Sequence, residues 1–335
     1  MEYHQPASMQ DVAKEAGVSP QTVSRVANGS NAVKAETRQR VEAAMKKLGY
    51  RSNYAARALK HGRFNNIGVV MFDTAAFGDA RILNSILNAA VSEGYAVTVN
   101  TMGTGASRTI ECAVSLMKQL PVDGVIVVMK ERTADFDTFT PPPDLPVVLV
   151  REDPLESCPT VDADQYGCSQ AVVDYLIAKG HKTVYHIAGP SSARSAQSRA
   201  DGWRDALESR GIPIPSLYVG DWEADSGYQA GLSLAHDRNC TAIYAANDQM
   251  AYGAIQGLIA GGKRVPEDVS VIGVDDSLVG IVPRLSLTTM RMRFDLIGTE
   301  AFSMVRRLCE GKRVPSGIKT VIPTELVERD SVRAV

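Results

Sequence analysis

Apolar side chains recur along this chain with two different spacings. Before about residue 60 they lie three or four residues apart, as in MQDVAKEA, and this spacing predicts amphipathic helices. From Asn66 onward the chain has short continuous apolar runs, separated by amphipathic stretches: NIGVVMF, YAVTVN, VDGVIVV and LPVVLV. Such runs are typical of buried strands in a parallel sheet that helices cover on both faces. The pattern predicts a small all-α unit followed by a larger α/β unit.

Two short helices with a tight turn between them are predicted near the start of the chain. Ser8 is a favourable cap for the first helix, which Gly17 ends, and Ser19-Pro20 begins the second helix, PQTVSRVAN. Val23 and Val26 would face the first helix, because residues three apart share a helix face. The polar side chains of the second helix would then face solvent. This arrangement is a helix-turn-helix, a motif that binds DNA.

A third helix and a short alanine-rich segment follow. The stretch AETRQRVEAAMKKLGY carries an apolar stripe that would complete the core of a three-helix headpiece. The segment NYAARAL also favours a helix, but it is too short to be stable alone. We expect it to fold only against a partner, either DNA or a second copy of itself. We predict a headpiece over residues 1–52, a hinge helix and linker over 53–65, and a core over 66–335.

Basic residues are concentrated at the start of the chain. Residues 1–63 contain eleven Lys or Arg and five Asp or Glu, a net charge of +6. The whole chain carries −2, so the remaining residues together carry −8. A helical hairpin that merely packs on a larger domain does not need this asymmetry. A basic unit on an acidic body is typical of proteins that bind a polyanion, and phosphate contacts would supply much of the affinity for DNA.

The α/β part contains two successive series of strands and helices, which predicts two similar lobes. The second series has the strands KTVYHIAG, SLYVGDW, TAIYAAND and VSVIGVDD. Ligands of open parallel sheets bind beyond the carboxyl ends of the strands. Unusual polar and aromatic residues stand at those ends: Asp73, the segment 191–199, Trp222, Asn247-Asp248 and Asp275-Asp276. We predict an α/β fold, a two-lobed core of parallel sheets with an N-terminal all-α helix-turn-helix headpiece.

Composition disfavours several classes of protein and site. No apolar run is long enough to cross a membrane, and the first residues, MEYHQPASMQ, lack the apolar core of a secretory signal. Five scattered cysteines form no CxxC pair, so we expect reduced thiols, a cytoplasmic protein and no metal site. No HExxH, GxSxG or complete phosphate-binding loop occurs. We expect no cofactor, no catalytic residues and no enzymatic activity.

Segments from both parts of the chain resemble the LacI/GalR family of bacterial transcription regulators. In the headpiece they are DVAKEAGVSPQTVSRVANG, RVEAAMKKLGY and NYAARAL, and in the core they are AGPSSARSAQSRADGW, GDWEADSGYQ, AANDQMAYGA, VSVIGVDD and LTTMRMRFDLIG. The core segments occur in the same order and at the same spacing as in the family. Together the segments extend the resemblance over nearly the whole chain. The resemblance implies a core like that of periplasmic binding proteins. Lobe one would then span about 66–163 and 293–322, and lobe two about 164–290 and 323–335.

The resemblance implies that the second helix and the hinge contact DNA. Gln21 and Arg25 would contact bases in the major groove, and Leu59 would wedge between base pairs in the minor groove. The predicted DNA-binding residues are Pro20, Gln21, Thr22, Ser24, Arg25, Asn28, Asn53 and Leu59. A familiar member of the family has an aromatic residue at the position of Pro20, so we expect a different operator sequence.

The resemblance also implies a small-molecule effector site in the core. Its predicted residues are Asp73, Ser195, Arg199, Trp222, Asn247, Asp275 and Phe294. Arg199 offers a fork of donors and Asp275 offers acceptors, a combination that can saturate a vicinal diol. Trp222 and Phe294 would form aromatic walls, Ser195 would line the pocket, and Asn247 would bind a further hydroxyl group.

Plainer interpretations of four of these residues stay open. Arg199 can be a surface ion-pair partner, and Asp275 can be a turn residue. Asn247 can be a helix cap, and Trp222 can belong to the hydrophobic core.

Two departures from the family bear on the effector and on assembly. A well-known member has polar side chains where this chain has Val128 and Val150, and the neighbouring Arg151 and Glu152 are candidates to compensate. The last segment, TELVERDSVRAV, carries no heptad repeat, so we expect a homodimer rather than a tetramer joined by such a helix.

We predict a cytoplasmic, homodimeric regulator that binds operator DNA and acts as a repressor controlled by a saccharide. The first alternative replaces the sugar with a purine or phosphorylated metabolite as corepressor. The second is a sugar-binding transport protein, which the basic headpiece and the missing signal sequence oppose. The third is an enzyme on the same scaffold, for which no nucleophile, acid–base pair or metal cluster is evident.

Overall fold

A computed structural model describes residues 7–27, 30, 32–50, 62–74, 76–103 and 108–335. The chain divides between Phe64 and Asn65 into two compact units. The predicted hinge helix lies outside the described residues, as do the candidate residues Asn28, Asn53 and Leu59.

The first unit contains the helices α1 Met9–Ala16, α2 Pro20–Ala27 and α3 Ala35–Lys47. A capping box begins α1: the Asp11 N–H donates to Ser8 Oγ at 3.2 Å, and the Ser8 N–H donates to the Asp11 carboxylate at 2.8 Å. Gly17 ends α1 with a φ of 62°, a left-handed conformation that glycine adopts without strain. The predicted all-α headpiece is confirmed.

Small apolar side chains hold the three helices together. The buried residues of this core are Val12, Ala13, Ala16, Val23, Val26, Val41 and Ala44. They recur at three- and four-residue spacing, so each helix presents one apolar face to the other two. The opposite faces carry the charged and polar residues.

The second unit contains two sheets of six described strands each. The first has β1 Asn66–Met71, β2 Ala96–Thr101, β3 Gly124–Val128, β4 Val147–Val150, β5 Thr160–Ala163 and β11 Lys319–Ile322. Their order is β11-β5-β4-β3-β1-β2, and every pair is parallel. The helices that pack on this sheet are α4 Phe77–Ser92, α5 Ile110–Lys118 and α10 Phe294–Cys309.

The second sheet has β6 Tyr185–Ala188, β7 Tyr218–Val219, β8 Ala242–Ala245, β9 Ser270–Val274, β10 Thr288–Arg291 and β12 Glu325–Val327. Their order is β12-β10-β9-β8-β6-β7, parallel except for the antiparallel pair of β10 and β12. Its helices are α6 Gln165–Ala178, α7 Arg194–Glu208, α8 Ala224–Leu234 and α9 Asp248–Ala260. The predicted α/β fold with two lobes of parallel strands is confirmed.

The central strands are the continuous apolar runs of the sequence. Every residue of β1, β3, β4 and β9 is buried. The prediction that YAVTVN forms a buried strand is wrong in one respect, because β2 lies at the edge of its sheet and exposes Ala96, Val99 and Thr101. A short apolar run identifies a strand but does not distinguish the centre of a sheet from its edge.

Candidate functional site

A cavity of about 430 Å³ lies between the two sheets. All seven residues predicted for the effector site line it: Asp73, Ser195, Arg199, Trp222, Asn247, Asp275 and Phe294. They come together because five of them stand within three residues of the carboxyl end of a strand, and the carboxyl ends of parallel strands share one edge of a sheet. Their role as ligand contacts stays a prediction.

Arg199 and Asp275 form a buried pair in this cavity. Arg199, on α7, is only 5% exposed, so it is not a surface residue. Its Nε donates to Gln165 Oε1 at 2.9 Å, its Nη1 donates to the Ala246 carbonyl, and its Nη2 lies 3.8 Å from Asp275 Oδ1. Burial raises the pKa of Asp275 to about 6, although the positive charge of Arg199 opposes the shift.

Trp222 has contacts through both its backbone and its ring. Its backbone has a φ of 76°, and the Asn247 Nδ2 donates to its carbonyl at 2.8 Å. The ring lies against Gly189 so closely that a Cβ on that glycine would overlap it. The Asn247 Oδ1 accepts the Met250 N–H at 2.9 Å, so Asn247 is also the cap of α9. Both parts of the Asn247 amide therefore have protein partners.

The remaining three residues come from separate elements. Ser195 is the second residue of α7, and Phe294 is the first residue of α10. The Phe294 ring meets the Phe77 ring edge-to-face, with 6.0 Å between their centroids. Asp73 follows β1, and its Oδ1 accepts the Ala76 N–H at 3.4 Å.

Four charged residues that line the side of the cavity next to the first sheet were not among the site residues predicted from the sequence. They are Asp79, Lys130 and Asp162, together with Glu152, which the sequence suggested only as a neighbour of the valines. The Lys130 Nζ lies 3.3 Å from Asp79 Oδ1. Burial raises the pKa of Asp79 and Glu152, and it raises that of Asp162 to about 7. Lys130 follows a strand, and that position is the signal that could have identified it.

Val128 and Val150 line the cavity, whereas Arg151 is not among its described lining residues. Glu152 lines the cavity too. Arg151 is buried and donates to Asp153, whose other oxygen accepts the Arg194 Nε–H at 2.9 Å. Because Asp153 follows a strand of the first sheet and Arg194 begins α7 of the second, this pair links the two halves of the unit.

In the headpiece, the side chains predicted to read bases are on the solvent side of α2. Pro20, Gln21 and Arg25 are exposed, and Gln21 and Arg25 share a face because they are four residues apart. Ser24 is half-buried. The Thr22 hydroxyl lies 3.0 Å from Ser19 Oγ, which also accepts the Thr22 N–H, so Thr22 contributes to the start of α2.

The described part of the chain has neither a metal-binding cluster nor a membrane-spanning helix. No described group of three or more His, Cys, Asp or Glu side chains is arranged to hold a metal ion. No described helix is both long and apolar enough to span a bilayer.

Comparison with known families finds two matching profiles. Residues 8–53 match the profile of bacterial regulatory proteins of the lacI family, and residues 173–332 match that of a periplasmic binding protein-like domain. The lactose operon repressor of Escherichia coli K12 is 32% identical over 334 residues, which cover 98% of this chain and 91% of that protein. The transcriptional repressor PurR of Haemophilus influenzae Rd is 30% identical over 335 residues, which cover 98% and 99%.

Solved structures of transcription regulators are also similar to this chain. The lac repressor dimer bound to operator and the anti-inducer ONPF has a TM-score of 0.84 and 31% identity, with 98% of this chain and 100% of that chain covered. The complex of the transcriptional regulator CelR with cellobiose has a TM-score of 0.67 and 29% identity, with 97% and 99% covered.

Proposed function

Because the chain belongs to the LacI family of bacterial regulatory proteins and is a DNA-binding transcriptional repressor, we propose that a small sugar in the cavity between the sheets controls its binding to an operator. The observation that carries this proposal is the convergence of Arg199, Asp275 and Trp222 on one cavity. The cavity volume of about 430 Å³ lies within the range of small-molecule sites.

These three side chains suit a saccharide. Arg199 Nη2 would donate to one hydroxyl group, and Asp275 would accept from its neighbour on the ring. The Trp222 indole would stack on the apolar C–H face of the sugar, because aromatic rings offer a large flat surface. The lac repressor and CelR, both similar to this chain, have been solved with ONPG and with cellobiose respectively, which supports a sugar ligand.

A purine corepressor is the alternative ligand. Several PurR repressors are about as similar to this chain as the lactose operon repressor is. An arginine and an aspartate can also bind the edge of a purine ring. The proposal favours the sugar because the carboxylate-rich lining suits a ligand with many hydroxyl donors.

A thermal-shift screen distinguishes the two ligands. A molecule that binds the native state raises the melting temperature, so sugars and purines can be compared directly on the full chain. The screen is repeated with operator DNA present. We expect at least one sugar to raise the melting temperature and to change operator affinity. Stabilisation by purines alone would contradict the proposal.

On the DNA side, we propose that Gln21 and Arg25 read base edges in the major groove while other basic residues of the headpiece contact phosphates. The exposure of both side chains on one face of α2 supports this role. Pro20, Thr22, Ser24 and Asn28 would assist, and Asn53 and Leu59 would act in the minor groove.

We further propose a homodimer that transmits the ligand signal through residues 53–65. Two exposed apolar side chains in the loop after β9 support self-association, with exposures of 54% for Val279 and 70% for Ile281. Two hinge segments held together in a dimer could pack on each other and direct Leu59 into DNA. Inserting glycines after His61 should then preserve sugar binding and remove its effect on operator affinity. An insertion variant that still responds fully would contradict this route.

A further inference from the structure

Asp79 is almost completely buried at the first turn of α4 and lines the cavity. Its Oδ1 lies 3.3 Å from the Lys130 ammonium, whereas its Oδ2 is buried and has no hydrogen-bond partner among the described residues. Buried acceptors are normally satisfied, because losing water without gaining a donor costs free energy. The Asp79 carboxylate is thus fixed by Lys130 and keeps one acceptor for a donor that the described protein does not supply.

Two further acceptors that line the cavity are also buried without a hydrogen-bond partner among the described residues. They are Oε2 of Glu152, just beyond β4, and Oε1 of Gln249, in the first turn of α9. One comes from the first-sheet side and the other from the second-sheet side. Sugar hydroxyl groups can donate to all three acceptors, whereas phosphate and carboxylate groups would bring only more acceptors.

The charges of the cavity also disfavour an anionic ligand. Seven carboxyl groups, of which burial raises the pKa of four, and three cations are among its described lining residues. Each of these cations already has an anionic partner: Lys130 has Asp79, Arg194 has Asp153, and Arg199 has Asp275. An entering phosphate would lie among like charges in a partly desolvated site, where repulsion is weakly screened.

We propose that Asp79 is a specificity-determining residue that accepts a hydrogen bond from a hydroxyl group of the effector and, with Glu152, excludes sugars that carry phosphate or carboxylate. The inference rests on the proposed function, because it names the class of sugar for the same cavity. Val128 and Val150 leave apolar surface on the first-sheet side, so Asp79 supplies a polar contact there. Lys130 is a positioning residue, since it holds the Asp79 Oδ1.

Matched pairs of neutral and anionic sugars test the selectivity on the full chain. Suitable pairs are glucose with glucose 6-phosphate, galactose with galactose 6-phosphate, ribose with ribose 5-phosphate, and glucose with glucuronate, and cellobiose serves as a neutral disaccharide. Isothermal titration calorimetry should show a neutral sugar that binds at least tenfold more tightly than its anionic counterpart. An anionic sugar that binds equally well or better overturns this inference but leaves a sugar as the effector. Binding of purines and of no sugar overturns the proposed function as well.

The variant Asp79→Asn tests the residue itself. The amide has nearly the same shape but removes the charge and one acceptor, so affinity for the neutral sugar should fall tenfold or more. Asp144→Asn is the matched control, because Asp144 pairs with Lys118 at 3.0 Å on the exposed surface, and its sugar affinity should equal that of the wild type. Equal affinity in Asp79→Asn and the wild type overturns the inference.

The variant Glu152→Gln tests independently whether the acidic lining sets the preference for neutral sugars. It removes a cavity carboxylate on a different element and should narrow the preference for the neutral sugar over its anionic counterpart. Operator affinity without sugar and the far-ultraviolet circular dichroism spectrum report whether each variant is folded. A folded Glu152→Gln with unchanged discrimination shows that the acidic lining does not set the selectivity, and overturns the inference even if Asp79→Asn fails to fold.

Discussion

The guanidinium of Arg199 and the carboxylate of Asp275 lie 3.8 Å apart, measured from Nη2 to Oδ1, inside the cavity between the two sheets. This separation exceeds that of a hydrogen bond, so the two groups attract each other without satisfying each other. Gln165 and the Ala246 carbonyl fix the remaining nitrogens of the guanidinium. A donor and an acceptor are therefore held side by side, as two neighbouring hydroxyl groups of a sugar require.

Replacing Asp275 with asparagine should weaken sugar binding at least tenfold, or about 1.4 kcal/mol. The variant loses the negative charge that accepts the hydroxyl hydrogen bond. Asparagine is the suitable replacement, because Asp275 has a φ of 105° and asparagine tolerates positive φ better than alanine does. Calorimetry with the sugar found in the screen measures the change. Wild-type affinity in this variant would show that the sugar binds elsewhere.

Asp162 should make the stability of the ligand-free protein depend on pH. Burial raises its pKa in the folded chain to about 7 from an ordinary value of 3.8. The folded state therefore holds the proton more tightly, and its stability decreases as pH rises from about 4 to above 7. Asp162→Asn stays neutral, so it should unfold at a higher temperature than the wild type at pH 8 and by a smaller margin at pH 5, where the folded wild type keeps its proton. Calorimetric melting curves at both pH values test this, and a variant with no advantage at pH 8 would contradict the assignment.

Strand ends could be located from the sequence, and they indicated Asp73, the segment 191–199, Trp222, Asn247 and Asp275. Phe294 was predicted only from the resemblance to the LacI/GalR family. Asp79 could not be found in this way. It is a single carboxylate on the helix face that also carries Ile82 and Ile86, and such a face is typical of a hydrophobic core. That this face reaches the cavity depends on how α4 packs against α10, which no local pattern encodes.

The link between Asp153 and Arg194 also depends on tertiary structure. The two residues are 41 positions apart and belong to different sheets, so only the approach of the two halves brings them within 2.9 Å. For the same reason the edge position of β2 was missed, because the order of strands in a sheet is set by the whole fold. The sequence left Asn247 open between a helix cap and a partner for a ligand hydroxyl. In the structure it caps α9 and also donates to the Trp222 carbonyl, a contact that no local pattern predicted.

Breaking the Asp153–Arg194 pair should favour an open arrangement of the two halves. Arg194→Gln removes the charge that links them, and sugar affinity should fall several-fold because the closed cavity becomes less populated. The sugar should also dissociate faster, as stopped-flow tryptophan fluorescence would detect. Asp144→Asn is again the control, since Asp144 pairs with Lys118 at 3.0 Å on the exposed surface. Equal dissociation rates in Arg194→Gln and in the control would show that the Asp153–Arg194 pair does not hold the two halves closed.

Arg25→Ala should reduce affinity for the cognate operator by about 1–3 kcal/mol and relax the preference at one base pair. Phosphate contacts by other basic residues should preserve binding to scrambled DNA. Lys14→Ala, which removes an exposed cation of α1, is the control for a simple loss of charge. Both variants are compared on cognate and scrambled DNA at one salt concentration. An equal loss on both DNAs for Arg25→Ala would mean that this residue contacts only the backbone.

The most direct test of the account is the reciprocity of sugar and operator binding. If a sugar bound by Arg199 and Asp275 controls the repressor, it changes operator affinity by some factor, and the operator must change sugar affinity by the same factor. Titrations of operator with and without sugar, and of sugar with and without operator, measure both on the wild type and on Asp275→Asn. The account predicts equal factors of about fivefold or more in the wild type and, at a sugar concentration that half-saturates the wild type, a much smaller sugar effect on operator affinity in the variant. A sugar that occupies the cavity and leaves operator affinity unchanged would contradict it.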